Sequence, residues 1–176
     1  MKRTRHALFA VLLLGGCISS NPPTPPVRWF DPSPLSWPQP ERAGGTVPVP
    51  VVTAAPTVRQ EFLVRIAQRE IAIDDAHRWS APPDRLVAAA LDRAVFGPGG
   101  ALPQCGTVPI KLVRFELDIT SRPRALCELQ VPTSKGLLTC SGATEATGTA
   151  PELLAAAMAG ALEQAVVKVR TALLGG

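Results

Sequence analysis

The chain has 176 residues, 46% of them hydrophobic and 18% charged, with 18 Lys and Arg against 14 Asp and Glu. Three of the basic residues, Lys2, Arg3 and Arg5, stand at the very start; without them the balance is 15 to 14, so the basic excess gives no support to nucleic-acid binding. What remains after a targeting segment is enough for one ordinary domain.

The basic start is followed by the apolar run Ala7 to Leu14 and by Gly15 and Gly16, the layout of a signal peptide over residues 1–16. The run is much shorter than the roughly 20 residues of a spanning helix, so no transmembrane anchor is expected from it. Leu14-Gly15-Gly16-Cys17 resembles the lipobox of bacterial lipoproteins, in which the signal is cut before the cysteine and the cysteine carries lipid. That resemblance implies a mature chain acylated at Cys17 with palmitate-like chains, each buried methylene contributing about 0.8 kcal/mol of membrane affinity. Ser19 is not the Asp that retains such proteins in the inner membrane, so the implied site is the periplasmic face of the outer membrane.

Residues 17–50 read as a tether. Ten of the 19 prolines fall there, and such a chain prefers extended polyproline II at about 3.1 Å per residue. Trp29 and Phe30 interrupt it: they form either an edge strand docked on the domain, the reading we favour, or a sticky patch for a partner. Trp37, between prolines, has nothing local to pack on. Trp29, Phe30 and Trp37 are the candidate partner-binding residues.

Residues 51–176 read as one α+β domain. Glu61–Ile66 and Arg69–Asp74 alternate like half-buried strands, with Asp74 and Asp75 as a solvated turn. A helix follows, with Ser80 as its cap, Pro82 and Pro83 in its first turn and Gly97-Pro98 as its stop. Its apolar stripe is Leu86, Val87, Ala90, Leu91, Ala94 and Val95, and Trp79 is expected to lie over the core beside it. Lys111–Ile119 is a strand with Val113, Phe115, Leu117 and Ile119 on one side and Arg114, Glu116 and Asp118 on a wet side. Ala125–Thr144 predicts two antiparallel strands about the turn at Pro132–Gly136. Thr149 and Glu152 have capping-box spacing before a last helix whose core stripe is Leu154, Met158, Ala161, Ala165 and Val169. The sum is a small antiparallel or mixed sheet with two main helices on one face.

Cys105, Cys127 and Cys140 remain after Cys17, in an oxidising compartment. If the hairpin centres between Thr133 and Ser134, Cys127 stands opposite Cys140 and a cross-strand disulfide is geometrically allowed. The alternatives are two small core residues, or a Cys105 to Cys127 pairing. No catalytic, cofactor-binding or metal-binding set is visible. The mature chain has one histidine, His77, no Cys-x-x-Cys, no Gly-x-Ser-x-Gly and no phosphate loop.

Taken together, the lipobox, the early "RWF", the stretch Trp79-Ser80-Ala81-Pro82-Pro83 opening a helix, and the later "FELDI" resemble the auxiliary lipoproteins of ABC-type transport systems, the PqiC-like family. The early aromatic is commonly Tyr in that family, and the proline-rich stretch after it is a departure. The resemblance implies a non-catalytic outer-membrane lipoprotein that works with an MCE-domain protein and an ABC permease and ATPase in moving lipids across the periplasm. The competing expectation is an envelope scaffold or assembly lipoprotein that binds other envelope proteins or peptidoglycan. The alanine-rich last helix suits a homo-oligomer and a monomeric core equally.

Overall fold

The computed structural model describes residues 25–34, 46–97 and 104–174. Nine elements follow in order: β1 (Arg28–Phe30), β2 (Val47–Ala54), β3 (Glu61–Ala67), β4 (Glu70–Trp79), α1 (Pro83–Phe96), β5 (Gln104–Asp118), β6 (Arg124–Thr133), β7 (Gly136–Glu145) and α2 (Pro151–Leu174). The seven strands form one mixed sheet in the order β1-β4-β3-β5-β6-β7, with β2 on the N-terminal half of β5, on the same edge that takes β3 further along. Both helices cover one face, as expected for this α+β arrangement; a main core joins them to the sheet, and a smaller cluster of Val47, Val95 and Phe96 packs β2 against the end of α1.

The sheet begins earlier in the chain than the proline content suggested. β1 pairs in parallel with β4, so Trp29 and Phe30 do form an edge strand, and β2 pairs in parallel with β5 from Val47 onward. The tether assigned to 17–50 therefore contains one strand and half of another. β2 tolerates Pro48 and Pro50 because, among the described strands, β5 pairs with it on one side only, and prolines two apart turn their missing donors to the same, other edge.

Close packing of α2 depends on small residues. A Cβ on Gly142 of β7 would lie 1.9 Å from the Ala161 carbonyl oxygen, so the helix backbone rests directly on the strand. Ala161, Ala165 and Met158 are wholly buried there. α2 also satisfies the free edge of β7: the Ala143 N–H donates to Gln164 Oε1 at 3.2 Å, and Lys168 Nζ donates to the Ser141 carbonyl at 2.6 Å. An edge finished in this way has fewer open donors and acceptors for another strand.

Several local expectations change. Pro82, not Ser80, precedes the first residue of α1 and gives no side-chain cap. Ala150 precedes α2, its carbonyl accepting from Leu153 and Leu154, and Glu152 is turned to Arg28 instead of closing a capping box with Thr149. β4 runs on to Trp79, because Asp74 and Asp75 lie in a bulge within the strand and not in a turn at its end. Phe62 pairs with Asp74 while the adjacent Glu61 pairs with Arg78. β5 starts seven residues before Lys111, and a bulge between Leu112 and Arg114 puts Leu112 in the core and leaves Val113 half-buried.

Candidate functional site

The sheet face away from the helices is open, and alternation along β5 directs Glu116 and Asp118 onto it. Both are nevertheless buried, at 5% and 2% exposure, because arginines from neighbouring strands lie over them. Arg65 of β3 makes a two-pronged contact, Nε to Glu116 Oε1 and Nη2 to Oε2, each at 3.0 Å. Arg114 approaches the same carboxylate at 3.5 Å. Arg124 of β6 donates through Nε and Nη2 to Asp118 Oδ2 at 3.0 and 2.8 Å, while Oδ1 accepts from the Thr120 amide and hydroxyl.

Burial by itself would raise the Asp118 carboxyl, but the Thr120 donors and the Arg124 guanidinium outweigh it and hold the group at about 2. The bond to Glu116 raises the Arg65 guanidinium further above its ordinary range, against the opposing effect of burial. Both shifts keep Asp118 and Arg65 charged at neutral pH. Arg114 and Arg124 still have side chains 45% and 47% exposed, so each keeps donors facing solvent. They border a shallow depression that also includes Gln68 and Leu126. Such a face offers preset guanidinium donors to carboxylates or phosphates on a partner without first ordering the side chains.

A second feature lies at the β1 edge. Phe30 turns into the core, its ring centroid 5.3 Å from that of Phe62 and 5.8 Å from that of His77. Phe62 stacks on Trp79 at 4.1 Å, and Trp79 meets Phe115 edge-on at 5.1 Å. Trp79 is 0% exposed, the core position expected for it. Trp29 turns the other way, 55% exposed, with the Arg78 guanidinium 5.9 Å from its ring centroid. The structure therefore separates the two candidates: Phe30 is a packing residue and Trp29 is available. Trp37 and Cys17 lie outside the described residues.

His77 Nδ1 bonds Asp74 Oδ2 at 2.6 Å, and its ring sits among the aromatic side chains of Phe30 and Phe62. Among the described residues no group of three His, Cys, Asp or Glu could hold a metal ion. None of their helices is long and apolar enough to cross a membrane.

The cysteine expectation needs correction. Thr133 pairs with Gly136 around the two-residue turn Ser134–Lys135, so the hairpin centre lies one residue later than the sequence reading placed it. Cys127 then faces Gly142, and Cys140 faces Leu129. Cys105, Cys127 and Cys140 are all free thiols. Burial pushes the Cys127 and Cys140 thiols up, which keeps both protonated.

Alternation did place Arg114, Glu116 and Asp118 on one wet face. The partners Arg65 and Arg124 carried no sequence signal of their own, because their positions follow from β3 and β6 flanking β5.

No family model matches the chain, and no curated protein matches it. Among solved structures it is similar to protein XCC0632 from Xanthomonas campestris, whose description places it in the family DUF330. The TM-score is 0.70 at 22% identity, over 85% of this chain and 97% of that one. It is also similar to an uncharacterized protein of known structure, with a TM-score of 0.55 at 11% identity, over 81% of this chain and 97% of that one. At these identities the likeness is one of fold.

Proposed function

We propose that this protein is a lipid-anchored, non-catalytic auxiliary component of an ABC/MCE-type transport system, working between the inner and outer membranes. Acylation at Cys17 holds it to one membrane, and the open sheet face docks on a protein of the transporter. The observation that supports this most is the arrangement on that face: Glu116 and Asp118 are buried beneath Arg65 and Arg124, while Arg114 and Arg124 keep exposed donors. The resemblance to the PqiC-like auxiliary lipoproteins supplies the class of partner, an MCE-domain protein with its ABC permease and ATPase.

Charge removal on the open face tests the reading. Arg114→Gln leaves the Arg65–Glu116 and Arg124–Asp118 pairs in place and brings no like charge to Glu116, so the chain should fold while capture of the MCE-domain protein from detergent-solubilised envelopes falls about tenfold or more, as loss of a charge pair at an interface does. Undiminished capture would remove the open face from the docking surface.

A further inference from the structure

We infer that the β1 edge of the domain, through Val27, Trp29 and Arg78, is a membrane-contact surface that sits on the phospholipid headgroup layer. The inference rests on the reading of Cys17 as an acylated anchor and extends it to the folded domain.

The chain between Cys17 and the sheet limits how far the domain can stand from the bilayer. Had the tether run to residue 50, the domain could stand far from the bilayer. Because Arg28 is already paired into the sheet, only ten positions separate Cys17 from Val27, the residue before β1. Fully extended, ten residues span about 35 Å at most, and Pro22, Pro23, Pro25 and Pro26 favour a polyproline rise that shortens this to about 31 Å. The acyl chains hold Cys17 at the interface, so the β1 edge is confined near it. Confinement at such a distance corresponds to an effective concentration of order mM, at which a weak contact is populated.

The β1 edge also presents interfacial chemistry. Within β1 the side chains divide between the two faces. Arg28 and Phe30 turn toward the helices, where Arg28 pairs with Glu152 and Phe30 enters the core. Trp29 turns outward at 55% exposure, and Val27, two positions earlier, is 41% exposed. A tryptophan with one apolar ring and one N–H donor suits the boundary between headgroups and acyl chains. Beside it Arg78 is 35% exposed at its side chain and reaches Glu61 only at 3.7 Å, which leaves guanidinium donors for a lipid phosphate.

β1 ends the strand order, so no described strand lies beyond it. β5, which carries Glu116 and Asp118, is three strand spacings away, about 14 Å at the usual separation. Trp29 and Arg78 thus stand at the β1 margin of the open face, so a membrane that meets this margin leaves the arginines around Glu116 and Asp118, three strands in, open to a protein.

The test uses the full lipidated chain carrying Trp37→Phe, reconstituted into phosphatidylethanolamine and phosphatidylglycerol vesicles with brominated acyl chains. Trp29 emission should be quenched relative to unbrominated vesicles, and a further Trp29→Phe change should abolish that loss, leaving the buried Trp79 signal unchanged. Vesicle flotation and the mass of the Cys17 peptide are read on the same sample. Acylated protein that floats with Trp29 unquenched would overturn the membrane contact and leave the anchor standing. If Trp29→Ala then also weakens capture of the MCE-domain protein, the occupant of this edge is a protein. An unmodified Cys17 peptide would overturn both the anchor and the contact that depends on it.

Discussion

Arg65, in register with Asp118 across the parallel pair β3–β5, reaches diagonally to Glu116, with Nε and Nη2 of the arginine each 3.0 Å from a different carboxylate oxygen. The carboxylate has lost most of its water, at 5% exposure, and this pair replaces it. Arg65→Ala leaves Arg114 as the remaining nearby cation, at 3.5 Å. We expect a loss of about 2 kcal/mol, the cost of an under-satisfied buried charged group, read as a lower urea midpoint at unchanged slope. Replacing Arg65 and Glu116 together by Met should restore much of it, because no buried charge is then left alone.

Asp118 links stability to acid pH. Its folded carboxyl lies at about 2, below the ordinary 3.8. A depressed carboxyl contributes stability that is present above the unfolded value and is lost as pH falls through the folded one. The contribution of Asp118 is therefore complete above about pH 4 and fades between pH 4 and 2. Asp118→Asn should flatten that part of the stability profile and lower the plateau above it. Equal slopes in the two proteins between pH 4 and 2 would show that Asp118 is not the group responsible.

Gly142→Ala should be among the most damaging single-methyl additions in the chain. The new Cβ would fall 1.9 Å from the Ala161 carbonyl oxygen, so α2 has to move off β7. Overpacking of this kind costs about 3 kcal/mol or more. Calorimetry should show a large drop in Tm, whereas Gly136→Ala, at the exposed hairpin turn with open space around it, should cost less and act through its positive φ of 117°.

The three described thiols should separate by accessibility. Cys105 is exposed, whereas Cys127 and Cys140 are buried in the face beneath the helices. A maleimide reagent applied to native, unreduced protein should modify Cys105 promptly and the other two only after unfolding. A Cys127 to Cys140 crosslink in that protein would mean that the β6–β7 register differs from the one described.

How far the sequence could be read depended on how local each signal was. Period-two alternation was enough to find β3 and the latter half of β5, and period 3.6 found both helix stripes. β2 was hidden by Pro48 and Pro50, which resemble tether until it is known that their side of the strand has no partner among the described strands. The start of β5 was hidden in a similar way by Gly106 and Pro109. The Cys127 register missed by one residue at the turn centre, which changes the cross-strand partner by two positions. The ion-pair network could not be foreseen, since Arg65 lies 51 residues from Glu116 and meets it only because the strand order places β3 beside β5.

Crosslinking in intact cells, followed by mass spectrometry of what co-purifies with the protein, decides whether it works with a transporter. We expect recovery of an MCE-domain protein together with its ABC permease and ATPase, with crosslinks from the open sheet face around Arg114 and Arg124. Recovery of only peptidoglycan fragments or unrelated outer-membrane proteins would contradict it, and would assign this domain to an envelope scaffold instead.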